Sequence, residues 1–505
     1  DCQTLAARLR RPLDLGTVIE IAVGAAAALA EVHRHGIVHR DIKPEHILLG
    51  RADDDAVRVK LTGLGIASRT ARERTALGPL EAIPGTFQYM APEQTGRMNR
   101  SVDSRSDLYS LGVVFYEMLT GSLPFAATDP AQWVHAHTAL QPVEPRQRVA
   151  DIPEPLSAIA MKLLAKAAED RYQTADGLRA DLERCAREWR EHGAIAPFAL
   201  GERDIPDRWV VPERLYGRSR EVEALHAAFG RVARTGTPEL VIVTGYSGAG
   251  KSALVHELPK ALTDSRSLFA AGKLDEYRRL VPYGALAQAI DSMVEPLLGR
   301  GEAEFDHWRT AISRALAPNG RLLTDLAPRL RLVIGEQPEV PDLDPRLAKA
   351  RFHLVFRRFA EVFATAAHPL ALFIDDMHWL DPASLDVVED LLLQPGARHL
   401  LLIGAYRDNE VGPDHPLARK LAAVRASGAR VHEVALAPLP LADVTRLAAD
   451  ALHCEADAAA PLAELVHEKT AGNPFFVLQF LTALAEEGLV AFDHAEQRWR
   501  WDLAL

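Results

Sequence analysis

The sequence predicts a multidomain chain: a mainly α-helical module, then an α/β module built on a parallel sheet and closed by a helical lid. Three observations carry this. Apolar runs with helical spacing, TVIEIAVGAAAALAEVHRHG (17–36) and SDLYSLGVVFYEMLTG (106–121), dominate the first part. Farther on, three short aliphatic runs each end in polar or charged residues: ELVIVTG at 239–245, PLALFIDD at 369–376 and HLLLIGAYR at 399–407. Such unbroken runs are what strands covered on both faces of a parallel sheet need. Last, ADVTRLAADAL (442–452) and PLAELVHEKT (461–470) alternate polar and apolar residues at helical spacing.

A chain of 505 residues suggests three or four domains at ~150 residues each. The boundaries read as 1–187 for the helical module, 188–212 for a linker, 213–436 for the α/β module, and 437–505 for the lid and the start of a hairpin or winged-helix region. The linker sits in a Pro- and Gly-rich stretch, EHGAIAPFALGERDIPDRWVVPERLYG (191–217), and the hairpin in LVAFDHAEQRWRWDL (489–503). Between 270 and 368 the pattern is mostly helical, and DEYRR (275–279) reads as a solvated face.

The first module carries its chemistry in HRDIKPEH at 39–46 and in GLG at 63–65, twenty-two positions past Asp41. These and three further motifs occur in order: Gly85-Thr86 with Ala91-Pro92-Glu93, then Asp107, then Arg171 in EDRYQTA. Together they resemble bacterial Ser/Thr protein kinases across residues 1–187. The resemblance implies that Asp41 accepts the substrate hydroxyl proton, Lys43 reaches the transferred phosphate, Asp107 braces the catalytic loop and Arg171 pairs with Glu93. It also marks two departures. The pattern ends the catalytic loop in Asn and opens its metal triplet with Asp; here those positions are His46 and Gly63. Phosphoryl transfer depends on metal ions that neutralise the β- and γ-phosphates, and Mg²⁺ prefers oxygen ligands. The module is therefore expected to be a pseudokinase in this form. From Asp1 onward no Gly-rich phosphate loop or strand lysine is found, so a C-lobe in a fragment cut at its start and its end is expected. Residues 17–36 read as the buried central helix of that lobe rather than a membrane span, with Glu20 and Glu31 bounding the run. Thr70, Thr75 and Thr86 lie in the activation segment without marking a phosphosite, and Thr86 is expected to buttress Asp41.

The second module holds GYSGAGKS at 245–252, which fits G-x-x-x-x-G-K-[ST] at every fixed position. Gly245, Gly248 and Gly250 let the backbone turn tightly, so that N–H groups converge on phosphates. A helix beginning in SALVHELPKAL would add its dipole. Lys251 would reach the β/γ-phosphates and Ser252 would ligate Mg²⁺. Asp375 would hold the same ion through water, and Asp376 is a candidate to polarise the attacking water. The alternative for this pair is a helix cap, a role that Asp381-Pro382 already fills. Arg407 is either a γ-phosphate sensor or a surface arginine paired with Asp408 or Glu410. With TAGNPFFVLQFL (470–481) and LYGRSREVEAL (215–225), these runs look like the STAND group of AAA-like signalling ATPases. That resemblance implies a sensor role for Arg407, packing of Pro474 on adenine, and an entry motif near the base in which Ser219 stands where an acidic residue is expected, the next being Glu221.

The module order resembles bacterial hybrid signalling proteins that join a Ser/Thr-kinase domain to such an ATPase and often to a sensor histidine kinase. The cofactors implied are ATP and Mg²⁺; the partners are protein partners or substrates and a nucleotide-dependent oligomer. A net charge of −11 and the lack of basic–aromatic runs argue against nucleic acid. Three cysteines, Cys2, Cys185 and Cys454, form no C-x-x-C and fit a cytoplasmic protein. Three functions compete: an ATP-driven switch worked by the second module, an active protein Ser/Thr kinase, and a scaffold indifferent to nucleotide.

Overall fold

The computed structural model describes residues 3–51, 57–69, 87–95, 100–261, 267–273, 282–298, 302–394, 396, 398–493, 495–496 and 498–502. Gly85-Thr86, Thr70, Thr75 and the 275–279 run lie outside them. The chain forms two compact units. One comprises Asp1–Arg214, Thr445–Leu462 and Leu481–Leu505; the other comprises Leu215–Val444 and Ala463–Phe480.

The first unit is mainly helical. Helix α1 (Leu15–Arg34) starts at Asp14, whose carboxylate accepts the Thr17 N–H at 3.0 Å. Val18, Ala22, Ala25 and Leu29 line its buried face at helical spacing. Among the described residues α1 is the one helix long and apolar enough to cross a membrane, yet it packs along the core with the strand Val57–Leu61 and the helix Ala175–His192. Strands β1 (Ile47–Arg51) and β2 (Val57–Leu61) pair antiparallel beside it, and a short strand Gln3–Thr4 joins β1. Helix α2 (Ser104–Thr120) runs through the middle and is buried on nearly every side. A helix apolar all round is a core helix. Gly112 lets it approach helix α3 (Glu154–Leu163), because a Cβ there would stand 2.6 Å from that of Leu163. Helix α4 (Ala175–His192) follows, capped by Thr174.

One buried ion pair ties these pieces. Arg171 donates Nη1 to Glu93 Oε1 at 2.7 Å and Nη2 to Oε2 at 2.9 Å. Its remaining donors reach the carbonyls of Ala165, Lys166 and Arg105. Ser106 donates a further bond to Glu93. Burial pushes the Glu93 carboxyl up, but the Arg171 charge and these bonds outweigh it and hold it at about 2.

The second unit is α/β. Helix α5 (Ser219–Thr235) leads into strand β3 (Glu239–Thr244). Strand β4 (Leu268–Lys273), helices α6 (Gly284–Val294) and α7 (Pro345–Phe363), and strand β5 (Leu370–Asp375) follow. Helix α8 (Pro382–Leu393), strand β6 (Leu400–Tyr406) and strand β7 (Arg430–Ala435) complete it. The sheet is parallel throughout, in the order β4-β5-β6-β3-β7. Alternate residues serve opposite faces: Leu240 and Ile242 join the core on the α6–α8 side, Val241 and Val243 the core on the α5 side. Two of the five strands differ from the sequence expectation. LFAAGK is a strand that reaches into the stretch read as helical from 270, and RVHEVA forms the edge. Neither is a long aliphatic run, since both stand at the two edges of the sheet, and Gly272 thins the first further.

Helices Leu441–Leu452, Ala456–Thr470 and Pro474–Glu486 come next, then a hairpin pairing Val490–Asp493 with Arg498–Trp501, as the alternation indicated.

Replacing Arg171 with Met should cost about 3–5 kcal/mol in chemical denaturation, because Glu93 would stay buried without its partner. With Glu93 held below its ordinary 4.5, the pair's contribution is complete above pH 4.5 and fades as pH falls toward 2. An acid titration of stability should lose that component in the Arg171→Met protein.

Candidate functional site

In the first unit, Asp107 organises the loop at 39–46. From α2 it accepts the His39 N–H at 2.8 Å and the Arg40 N–H at 2.7 Å, with His33 Nε2 2.9 Å from Oδ2. Arg40 is thereby held at φ +67°, a left-handed conformation rare outside glycine. His39 Nε2 donates to the Thr62 carbonyl at 2.8 Å, which leaves Nδ1 to accept the Asp41 N–H at 3.3 Å. The Asp41 carboxylate lies 2.9 Å from Lys43 Nζ and 3.3 Å from His46 Nδ1.

His46 and Gly63 are not independent. Gly63 has φ +84°, and a Cβ there would stand 2.4 Å from His46 Nδ1. The imidazole fills the space that an aspartate at 63 would enter, and it is pinned by a 2.8 Å bond from Nδ1 to the Asp41 carbonyl. Asp41 is the one carboxylate that the described residues bring to this spot from the motif, so the donor set fits Mg²⁺ poorly.

In the second unit, residues 245–252 follow β3. Gly245, Gly248 and Gly250 have φ of +149°, +80° and +91°. Lys251 Nζ crosses the loop to the carbonyls of Gly245 and Tyr246, at 2.7 and 2.9 Å. Burial lowers the Lys251 pKa, and nearby Arg407 pushes the same way against Asp376 and Asp375. The helix expected to begin after the loop does so at Lys251 and runs to Val255, with a second piece at Leu258–Ala261. Pro259 explains the break, since it has no N–H to give the Val255 carbonyl one turn back and its ring crowds that carbonyl. The loop's own N–H groups, rather than a long dipole, are what this segment offers an anion.

Ser252 donates to Asp375 Oδ2 at 2.7 Å, joining the loop to the end of β5 across β6. Hydroxyl and carboxylate oxygens so placed are hard donors that fit Mg²⁺. Asp376 takes φ +50°, so its side chain leaves the strand line. Its pKa is raised by burial and then by Asp375, against Lys273, Arg407 and Lys251. The cap role belongs to Asp381, which accepts the N–H groups of Ala383 and Ser384. Arg407 pairs with Glu410, one of its two expected partners, Nη1 bonding it at 2.7 Å, while Nε lies 3.9 Å from Asp376.

Pro474 opens the helix after Asn473, and Asn473 fastens that turn to the loop. Its Nδ2 donates to the Ser247 carbonyl at 2.9 Å and its Oδ1 accepts the Phe475 N–H at 3.1 Å. A Cβ at Gly248 would meet Asn473 Oδ1 at 2.7 Å. In the entry motif, Arg218 donates to the Ala437 carbonyl at 2.5 Å and lies 3.8 Å from Glu221.

Sequence reasoning missed Lys273, whose Nζ lies 3.4 Å from Asp375 and 3.8 Å from Asp376. It ends a strand that the pattern concealed. Asn473 was visible in the Gly-Asn-Pro run, but its bond to residue 247 was not.

Residues 2–182 match the protein kinase domain family and residues 214–403 the AAA ATPase domain family. The chain is similar to the hybrid signal transduction histidine kinase G of Dictyostelium discoideum, 29% identical over 502 residues, covering 83% of this chain and 14% of that protein. It is similar to the serine/threonine-protein kinase PknB of Mycolicibacterium smegmatis and of Mycobacterium leprae, each 42% identical over 173 residues, covering 34% of this chain and 27% of theirs. The chain thus spans well under a third of the length of these relatives. It is a multidomain protein in which a protein kinase domain is followed by an AAA-type ATPase domain.

Proposed function

We propose that the chain is the nucleotide-switch part of a signalling protein of the STAND type, in which the AAA-type domain binds and slowly hydrolyses Mg-ATP. The observation that carries this is the 2.7 Å bond between Ser252 and Asp375, with Lys251 over the loop beside them. Lys251 and the loop N–H groups would hold the β- and γ-phosphates, and Ser252 and Asp375 would hold Mg²⁺, which supplies charge neutralisation at the phosphates. Asp376, its pKa raised by burial, would orient and deprotonate the water. Arg407 would report the γ-phosphate, and the turn at Asn473-Pro474 would carry the report onward. A switch needs different affinities of nucleotide for two states, and a turn bonded directly to the phosphate loop is placed to feel them.

In this reading the kinase domain acts as a pseudokinase and docks protein partners, because His46 and Gly63 replace both Mg²⁺ ligands. Nucleotide-dependent oligomers in the cytoplasm belong to the same proposal. An active Ser/Thr kinase is the second reading. It draws on the intact ordering of Asp41, Lys43 and Asp107, and on the printed names of the similar kinases.

Titrating Mg-ATP while following thermal stability separates the two. The unchanged chain should gain about 2.7 kcal/mol at a hundredfold excess over the dissociation constant. Lys251→Ala should abolish the gain and Asp41→Ala leave it intact; a shift that survives Lys251→Ala would move the nucleotide to the kinase domain.

The His46–Gly63 contact makes a second prediction. Gly63→Asp alone should destabilise the kinase domain by about 1–3 kcal/mol through overpacking. The same change beside His46→Asn should cost markedly less, and a denaturant double-mutant cycle measures the difference.

A further inference from the structure

At the end of β6 one carboxylate gathers three side chains. Glu410 Oε1 accepts the 2.7 Å bond from Arg407 Nη1. Its Oε2 lies 3.1 Å from His378 Nε2, and the Trp379 side chain bonds to the same carboxylate. The Arg407 guanidinium lies over the Trp379 ring, 5.1 Å from its centroid. His378 is 1% exposed, whereas Glu410 and Arg407 are 33% and 27% exposed. The cluster is therefore closed on its inner side and open on the other.

His378 and Trp379 come one residue after the acidic pair Asp375-Asp376, so Glu410 bridges the ends of β5 and β6. A free arginine side chain samples many rotamers, and a guanidinium aimed at a phosphate must give up that freedom. Here the ring beneath and the carboxylate beside it fix the plane in advance. They also hold Arg407 off Asp376, which its Nε approaches only to 3.9 Å. Without Glu410, Asp376 is the nearest carboxylate left to take the guanidinium. That collapse would remove the arginine from a ligand and burden the proposed base with an ion pair.

We propose that Glu410 is a positioning residue for Arg407. Seating the guanidinium on Trp379, it presents Arg407 to the terminal phosphate of a nucleoside triphosphate and so sets the preference for triphosphate over diphosphate. This rests on the reading of 245–252 with 375–376 as a Mg-ATP site. The contact is one that a γ-phosphate makes and a diphosphate lacks, so the two ligands separate its effect from general support of the fold.

The test is calorimetric binding of Mg-ATP and Mg-ADP to the whole chain in unchanged, Glu410→Gln, Arg407→Ala and doubly substituted forms. Glu410→Gln should lower the ATP-over-ADP preference about tenfold, the scale of one charge-assisted hydrogen bond. ADP affinity should hold, and Glu410→Gln should add nothing once Arg407 is Ala, since it acts through that residue. Glu410→Asp, with its charge one methylene short, should recover part of the preference. No change, an equal loss for both nucleotides, a gain in ATP preference, or an undiminished effect in the Arg407→Ala chain would overturn the proposal. Lys251→Ala run alongside tells the two failures apart. If both nucleotides still bind to it, the Mg-ATP reading falls; if neither binds, a contrary Glu410 result counts against the positioning role alone.

Discussion

A hydroxyl on one strand's loop touching a carboxylate at the end of another is the constraint on which the ATPase domain turns. Ser252 stands at the start of the helix after the loop that follows β3, and Asp375 ends β5, with β6 between the two strands. Their side chains can meet only if all three strands are parallel and in register, since a one-residue slip would turn Asp375 to the other face. The register is fixed by burial. Along each of these strands alternate residues feed two separate cores, so neither face can be exchanged for the other. The aliphatic runs thus do more than fill volume; they set where each strand ends, and the polar residues stand at those ends.

The kinase domain reaches the same result by another route. Its loop at 39–46 is irregular and could not hold a fixed shape by itself. Asp107, buried on α2, takes two consecutive N–H groups of that loop and so compensates the left-handed turn at Arg40. Helix α2 is in turn located by the Glu93–Arg171 pair through Ser106 and the Arg105 carbonyl. In both domains a buried carboxylate that accepts from backbone or hydroxyl is the element that converts a core into a site.

Much of this was legible beforehand because the informative residues are local. The loop at 245–252, the strand ending in Asp375 and the cap at Asp381 are short-range patterns whose physics does not wait for the fold. The helix Leu15–Arg34 was likewise readable from its apolar face, although Ser104–Thr120 and not this helix runs through the middle. What escaped was non-local. Lys273 meets the acidic pair only because β4 lies beside β5, and β4 carries Ala and Gly where a buried strand usually shows Val or Ile. Glu410 read as a surface partner for Arg407, and its second role as a bridge to His378 and Trp379 needs two strand ends side by side. The break after Val255 was readable from Pro259 but was masked by the helical pattern around it.

The tight fit between Gly63 and His46 also bears on how such a domain changes over generations. From the present state, an aspartate enters position 63 only against the imidazole, at the cost of overpacking. Loss of the ring at 46 relieves that cost, but by itself it adds no carboxylate and removes the bond to the Asp41 carbonyl. Either order of steps therefore passes through a form that is less well packed or less well bonded than the present one. Any path toward a carboxylate at this position thus crosses a threshold set by the packing of a single ring.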